Sequence, residues 1–144
     1  IYLFASYLKN RYAIKGNENE LKVFIRNFFS KVESAKKEES SIFGRFKMNR
    51  RRATTDGEVM RENMKLLLTE FLKYVPDLEL KDDKRLFDWG QKLAIYSLQD
   101  GKCKACGEEI SIKDAQFHHR IPWELGGKTT VENGEMYCIK HHPR

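Results

Sequence analysis

The stretch CKACGEEISIKDAQFHHRIPWELGGKTTVENGEMYCIKHH, residues 103–142, decides how this 144-residue chain is read. It holds all three cysteines (103, 106, 138) and all four histidines (118, 119, 141, 142), and the preceding 102 residues hold neither type. Cys103-Lys104-Ala105-Cys106 and Cys138-Ile139-Lys140-His141 are two ligand pairs at one spacing, with 31 residues between them. Zn²⁺ takes four N or S donors in a tetrahedron, with Zn–S near ~2.3 Å and Zn–N near ~2.0 Å. The two pairs therefore read as one structural Zn²⁺ site made by Cys103, Cys106, Cys138 and His141. A segment this short has little core of its own, and a closed four-ligand site supplies folding energy in its place. The bland alternative is three buried thiols and an incidental imidazole.

Within the stretch, 108–112 and 115–119 read as short strands and about 130–138 as a short helix. Strand, strand and helix around a metal is the local expectation. Once the zinc quartet is assigned, His118, His119 and His142 remain. Adjacent residues on a strand point to opposite sides, so one of His118 and His119 faces a metal and the other a substrate if the strand is locally bent.

Outward from the stretch, the chain is helical and basic. Apolar residues recur every three or four positions in 19–38 (Leu21, Phe24, Ile25, Phe28, Phe29, Val32) and in 58–75 (Val59, Met60, Met64, Leu67, Leu68, Phe71, Leu72, Val75). A third helix is expected over 84–99, with Leu86, Phe87, Trp89, Leu93, Ile95, Tyr96 and Leu98 inward, and a further one over 1–12. Residues 1–102 carry 21 Lys and Arg against 15 Asp and Glu, whereas 103–144 carry six of each. The fold class is therefore α+β: a mainly helical, basic body over 1–100 and a zinc-stapled module over 101–144. With 40% apolar and 33% charged residues, wholesale disorder is excluded. No apolar run is long enough to cross a membrane. Ile1-Tyr2-Leu3-Phe4-Ala5 lacks a basic n-region, so no secretory signal is expected, and the missing initiator Met fits a fragment of a longer chain. Three cysteines do not make a disulfide framework; a reducing, cytoplasmic compartment is expected.

The run Ser41-Ile42-Phe43-Gly44-Arg45-Phe46-Lys47-Met48-Asn49-Arg50-Arg51-Arg52 holds five basic residues, two Phe and no acid. It reads either as a solvated loop or as a phosphate-contacting element in which Arg45, Lys47, Arg50, Arg51 and Arg52 release counterions from nucleic acid.

Phe117-His118-His119-Arg120, the pair Gly126-Gly127, and Asn133 five residues before Cys138, followed by His141-His142, resemble the His-Asn-His (HNH) endonuclease signature in order and spacing. With the Cys103/Cys106 knuckle, the likeness is to the zinc-bearing branch of that family and covers about residues 93–144. The resemblance implies a ββα-metal nuclease that hydrolyses DNA phosphodiesters, leaving 5′-phosphate and 3′-hydroxyl ends. It also implies His119 as general base, His118 and His142 as ligands of one catalytic divalent cation (Mg²⁺, Mn²⁺ or Ni²⁺), and Asn133 as the residue that fixes the loop. His118 stands where many relatives carry Asp, which shifts metal preference away from Mg²⁺. His141 stands in place of the more usual fourth Cys, and Gly134 where an apolar residue is common. A nuclease module downstream favours the nucleic-acid reading of the basic run; Arg120 reads as a scissile-phosphate contact or as an exposed charge. Phe87-Asp88-Trp89-Gly90-Gln91-Lys92-Leu93-Ala94-Ile95-Tyr96 is similar to the approach helix of bacterial restriction-type and phage-defence proteins, in which an upstream regulatory domain precedes such a nuclease. One active site nicks one strand, so double-strand cleavage requires a homodimer or two visits. The alternatives are a non-catalytic zinc-bound nucleic-acid-binding module, or a protein-interaction domain with purely structural zinc.

Overall fold

The computed structural model describes residues 1–36, 40–50, 56–81 and 84–143. The described elements are α1 (Tyr2–Arg11), α2 (Glu18–Ser34), α3 (Ile42–Asn49), α4 (Gly57–Tyr74), α5 (Trp89–Leu98), β1 (Gln116–His119), a 3-10 turn at Trp123–Leu125, and β2 (Gly134–Tyr137). The class is α+β. Two compact units form: Lys15–Phe71, and Ile1–Ile14 with Leu72–Arg144. This division follows packing, whereas the division at residue 100 follows composition.

The unit over 15–71 is built on aromatic side chains. Phe24, Phe28 and Val32 bury one face of α2, as their spacing dictates. The Phe24 ring meets Phe71 of α4 at 5.1 Å, and Phe28 meets Phe46 of α3 at 5.1 Å and Phe43 at 5.4 Å, all edge-on. Such contacts stabilise by roughly 0.5–1.5 kcal/mol each beyond burial. The basic run, read as either a solvated loop or a phosphate-contacting element, forms a helix over residues 42–49. Phe43 and Phe46, three apart, anchor it on α2, and the Ser41 hydroxyl accepts the Gly44 N–H at 3.3 Å as an N-cap. Arg51 and Arg52 lie outside the described residues.

In the other unit, Phe4, Leu8 and Tyr12 of the first segment are buried, as are Leu72, Val75, Leu78, Phe87, Ala94, Ile95 and Met136. The chain after α1 pairs with the chain after α4: Ala13 N–H donates to Glu79 O at 2.9 Å, and Lys81 N–H to Arg11 O at 3.0 Å. The helix expected over 84–99 begins only at Trp89. Asp88 and Gln91 form a reciprocal capping box there, with Gln91 N–H to Asp88 Oδ1 at 2.8 Å and Asp88 N–H to Gln91 Oε1 at 3.0 Å. Leu86 and Leu98, expected inward, are exposed at 79% and 51%; the buried stripe is Gly90, Gln91, Ala94 and Ile95.

β1 and β2 pair antiparallel, with Phe117 opposite Met136, His118 opposite Glu135 and His119 opposite Gly134. The second strand is therefore 134–137, where a helix was expected, and 108–112 contributes only the isolated bridge of Lys102 to Glu109. Gly134 explains the difference. A Cβ there would lie 2.2 Å from Ile95 Cδ1, so the bare backbone seats directly on α5 as an extended strand. Among the described residues no helix follows β2.

Asp88 is the junction of this unit. Its Oδ2 accepts the Tyr12 hydroxyl at 2.8 Å and Arg11 Nε at 2.9 Å while Oδ1 caps α5. Burial, then the Asp88 carboxylate, raises the Tyr12 phenol far above its ordinary value. Asp88→Ala should remove the cap and strand the Tyr12 hydroxyl, lowering stability in urea denaturation by about 3 kcal/mol. A loss below about 1 kcal/mol would show the junction to be dispensable.

Candidate functional site

The donor atoms of Cys103, Cys106, Cys138 and His141 all lie within 4.8 Å of one another, so these four residues are positioned to bind a metal ion. A tetrahedron with ~2.3 Å arms has edges near ~3.8 Å, which this cluster matches for zinc. Two turns build it. In the first, Gly107 at φ +73° lets its N–H reach Cys103 O at 2.9 Å, a conformation that glycine adopts without strain. In the second, His141 N–H donates to Cys138 O at 3.0 Å, bringing His141 Nδ1 to 3.1 Å from Cys138 Sγ. Cys138 N–H also donates to Cys103 Sγ at 3.3 Å. Burial pushes the Cys103 thiol up, but the N–H groups of Cys138, Cys106 and Ala105 outweigh it and bring it down to about 6. At Cys106 the Glu108 N–H pulls the other way, yet burial and the neighbouring sulfurs of Cys103 and Cys138 raise the thiol to about 11. Gathered sulfurs resist a second negative charge, which a cation among them would neutralise.

A cleft of about 740 Å³ opens beside this cluster, within the size range of ligand sites. His118, His119 and His142 all line it, together with Arg85, Phe87, Lys92 and Trp123. The His118 and His142 rings stand edge-on with centroids 5.3 Å apart. His119 stacks on Phe87 at 4.4 Å, and its Nε2 lies 3.0 Å from Thr129 Oγ1. Burial, then His118 and Arg85, lowers the His119 pKa against an opposing pull from Glu124. The imidazole is therefore a neutral proton acceptor near pH 7. On the rim, Arg85 Nη2 pairs with Glu124 Oε1 at 2.9 Å.

Asn133 closes the loop that follows His119. Its Oδ1 accepts Ile121 N–H at 2.8 Å, and its Nδ2 donates to Ile121 O at 3.0 Å and to Lys128 O at 2.9 Å. One buried amide thus fixes both ends of the turn without titrating. Gly127 permits the close approach, because a Cβ there would fall 1.8 Å from Ile121 O.

The basic residues fall differently. Lys47 donates to Glu33 O, and to Ala35 O at 3.0 Å, so it caps the C-terminus of α2. Arg50 pairs with Glu33, and Arg45 Nε is buried without a hydrogen-bond partner among the described residues. The Arg120 side chain is exposed, and its backbone N–H donates to Asn133 O at 2.8 Å. Arg85, Trp123 and Glu124 line the cleft without any motif in the sequence to mark them, and Gln91 and Thr129 lie behind it. Asp88-x-x-Gln91 was a readable capping-box signal; Thr129 carried none.

A family model described as HNH endonuclease matches residues 103–142, the segment that supplies the metal cluster and most of the cleft. The match points to nuclease activity on nucleic acid. No curated protein and no solved structure matches the chain.

Elemental analysis should find one zinc per chain, lost in Cys138→Ser, and chelation should expose residues 101–143 to protease; an unchanged digestion pattern would count against a structural metal. Gly126 and Gly127 should separate in urea denaturation. Gly126→Ala meets no atom within 4 Å and pays only for φ +86°, about 1 kcal/mol. Gly127→Ala forces the loop off its own backbone and should cost at least twice that.

Proposed function

We propose that this protein is a metal-dependent endonuclease that cuts DNA one strand at a time. The observation that carries this reading is the convergence of His118, His119 and His142 on one cleft, beside a metal cluster that uses none of them. A phosphodiester repels an anionic nucleophile, so hydrolysis needs a base, a positive environment for the phosphate, and a stabilised leaving oxygen.

His119 is the base. Its neutral imidazole takes a proton from water as the water oxygen bonds to phosphorus. The P–O3′ bond then breaks with its electron pair on the 3′-oxygen, which takes a proton from solvent water, and His119 releases its proton to solvent, leaving 5′-phosphate and 3′-hydroxyl ends. His118 and His142 would hold a catalytic divalent cation: two imidazoles on an open cleft leave coordination positions for water and a phosphate oxygen, and suit Mn²⁺ or Ni²⁺ better than Mg²⁺. That cation supplies charge neutralisation for the phosphate and the departing oxygen. Arg85 and Lys92 on the cleft wall add positive charge for the backbone. Arg45 of α3 and Arg50, which follows its last residue, are further phosphate-contact candidates, supported by the net charge of +6. Lys47 contributes chiefly as a helix cap. The likeness of residues 87–96 supports a setting in restriction or phage defence, which plasmids bearing modified bases would test.

Supercoiled plasmid should be nicked with Mn²⁺ or Ni²⁺, and His119→Ala should slow nicking at least ~10²-fold while retaining fold and DNA affinity. Binding without scission by the wild-type chain would favour a non-catalytic nucleic-acid-binding module. Wild-type nicking by His119→Ala would overturn the base assignment.

A further inference from the structure

A histidine base works through one ring nitrogen, and the other must carry the proton. In His119 the surroundings choose between them. Nε2 lies 3.0 Å from Thr129 Oγ1, and the same hydroxyl lies 3.4 Å from Arg85 O. The hydroxyl has one hydrogen, and a carbonyl only accepts. Sending that hydrogen to Arg85 O while the hydroxyl oxygen accepts Nε2–H from His119 uses both contacts at once, whereas donating it to Nε2 leaves Arg85 O without one. The lone pair is left on Nδ1.

Thr129 is itself held from the other side. It is buried, and its backbone O accepts Gln91 Nε2 at 2.7 Å. Gln91 is 0% exposed, and its Oε1 accepts Asp88 N–H at 3.0 Å. Reversing that amide would break both bonds at once and leave two buried groups unpaired. The Phe87 ring, stacked on His119, restricts the remaining freedom of the imidazole.

We infer that Thr129 and Gln91 are positioning residues: through the Thr129 hydroxyl they lock His119 in the Nε2–H tautomer, so that Nδ1 accepts the proton from water. This rests on the assignment of His119 as base. Gln91 acts on Thr129 and Thr129 acts on the ring; neither touches the scissile bond.

Two readouts separate this role from a merely structural one. Long-range ¹H–¹⁵N NMR of the zinc-loaded protein, without added catalytic metal, should show His119 with its proton on Nε2 and slow to exchange. In Thr129→Val that proton should exchange fast and an Nδ1–H population should appear; Thr129→Ser should restore the wild-type signal. Plasmid nicking should follow, with kcat down about 10²-fold in Thr129→Val at unchanged KM and thermal midpoint, and recovered in Thr129→Ser. A wild-type His119 protonated on Nδ1, or a Thr129→Val variant with full kcat, would overturn the inference. If the wild-type chain cuts nothing, the nuclease reading fails, while the NMR still decides the tautomer lock by itself.

Discussion

Three sulfurs and an imidazole nitrogen within 4.8 Å of one another form an arrangement that a polypeptide of this size does not maintain by apolar burial. Among the described residues after position 100, the buried hydrophobic ones are Cys103, Ile110, Val131 and Met136 alone. What such a segment lacks in core a bound metal would supply, because the donors come from both ends and would close 103–141 into one loop. The cluster is tied directly to the sheet: β2 runs straight into Cys138, Lys104 N–H donates to Met136 O at 3.0 Å, and His142, which lines the cleft, follows His141 in the chain.

Inside the closed loop the chemistry depends on small residues and one amide. Gly127 lets the turn fold onto the Ile121 carbonyl, Gly134 lets β2 sit on α5, and Asn133 satisfies three backbone groups that would otherwise be unpaired. A side chain at either glycine would move the end of β1, and with it both histidines. The loop is thus held by hydrogen bonds rather than by burial.

What could be read from the residues was what spacing alone encodes. The apolar stripes of α2 and α4 are periodic over three or more turns, so their helices were legible to within a few residues, and two cysteines with two residues between them announced the candidate metal cluster. The basic run 41–52 was harder, because its charges outnumber the two phenylalanines that actually place α3 against Phe28. Glu135-Met136-Tyr137 tolerates a helix locally; only the contact of Gly134 with Ile95, far away in sequence, makes it a strand. Thr129 was illegible for the same reason. Its partners lie ten, 38 and 44 positions away, and no local pattern encodes them.

Tyr12 and Asp88 are 76 positions apart, yet their bond joins the first helix to the unit that carries the cleft. During synthesis at about 5–20 residues per second, the early segment waits roughly 4–15 s for its acceptor to emerge. The intervening 15–71 unit can complete its aromatic core in that interval. The inserted unit can therefore be complete before the residues that line the cleft have left the ribosome.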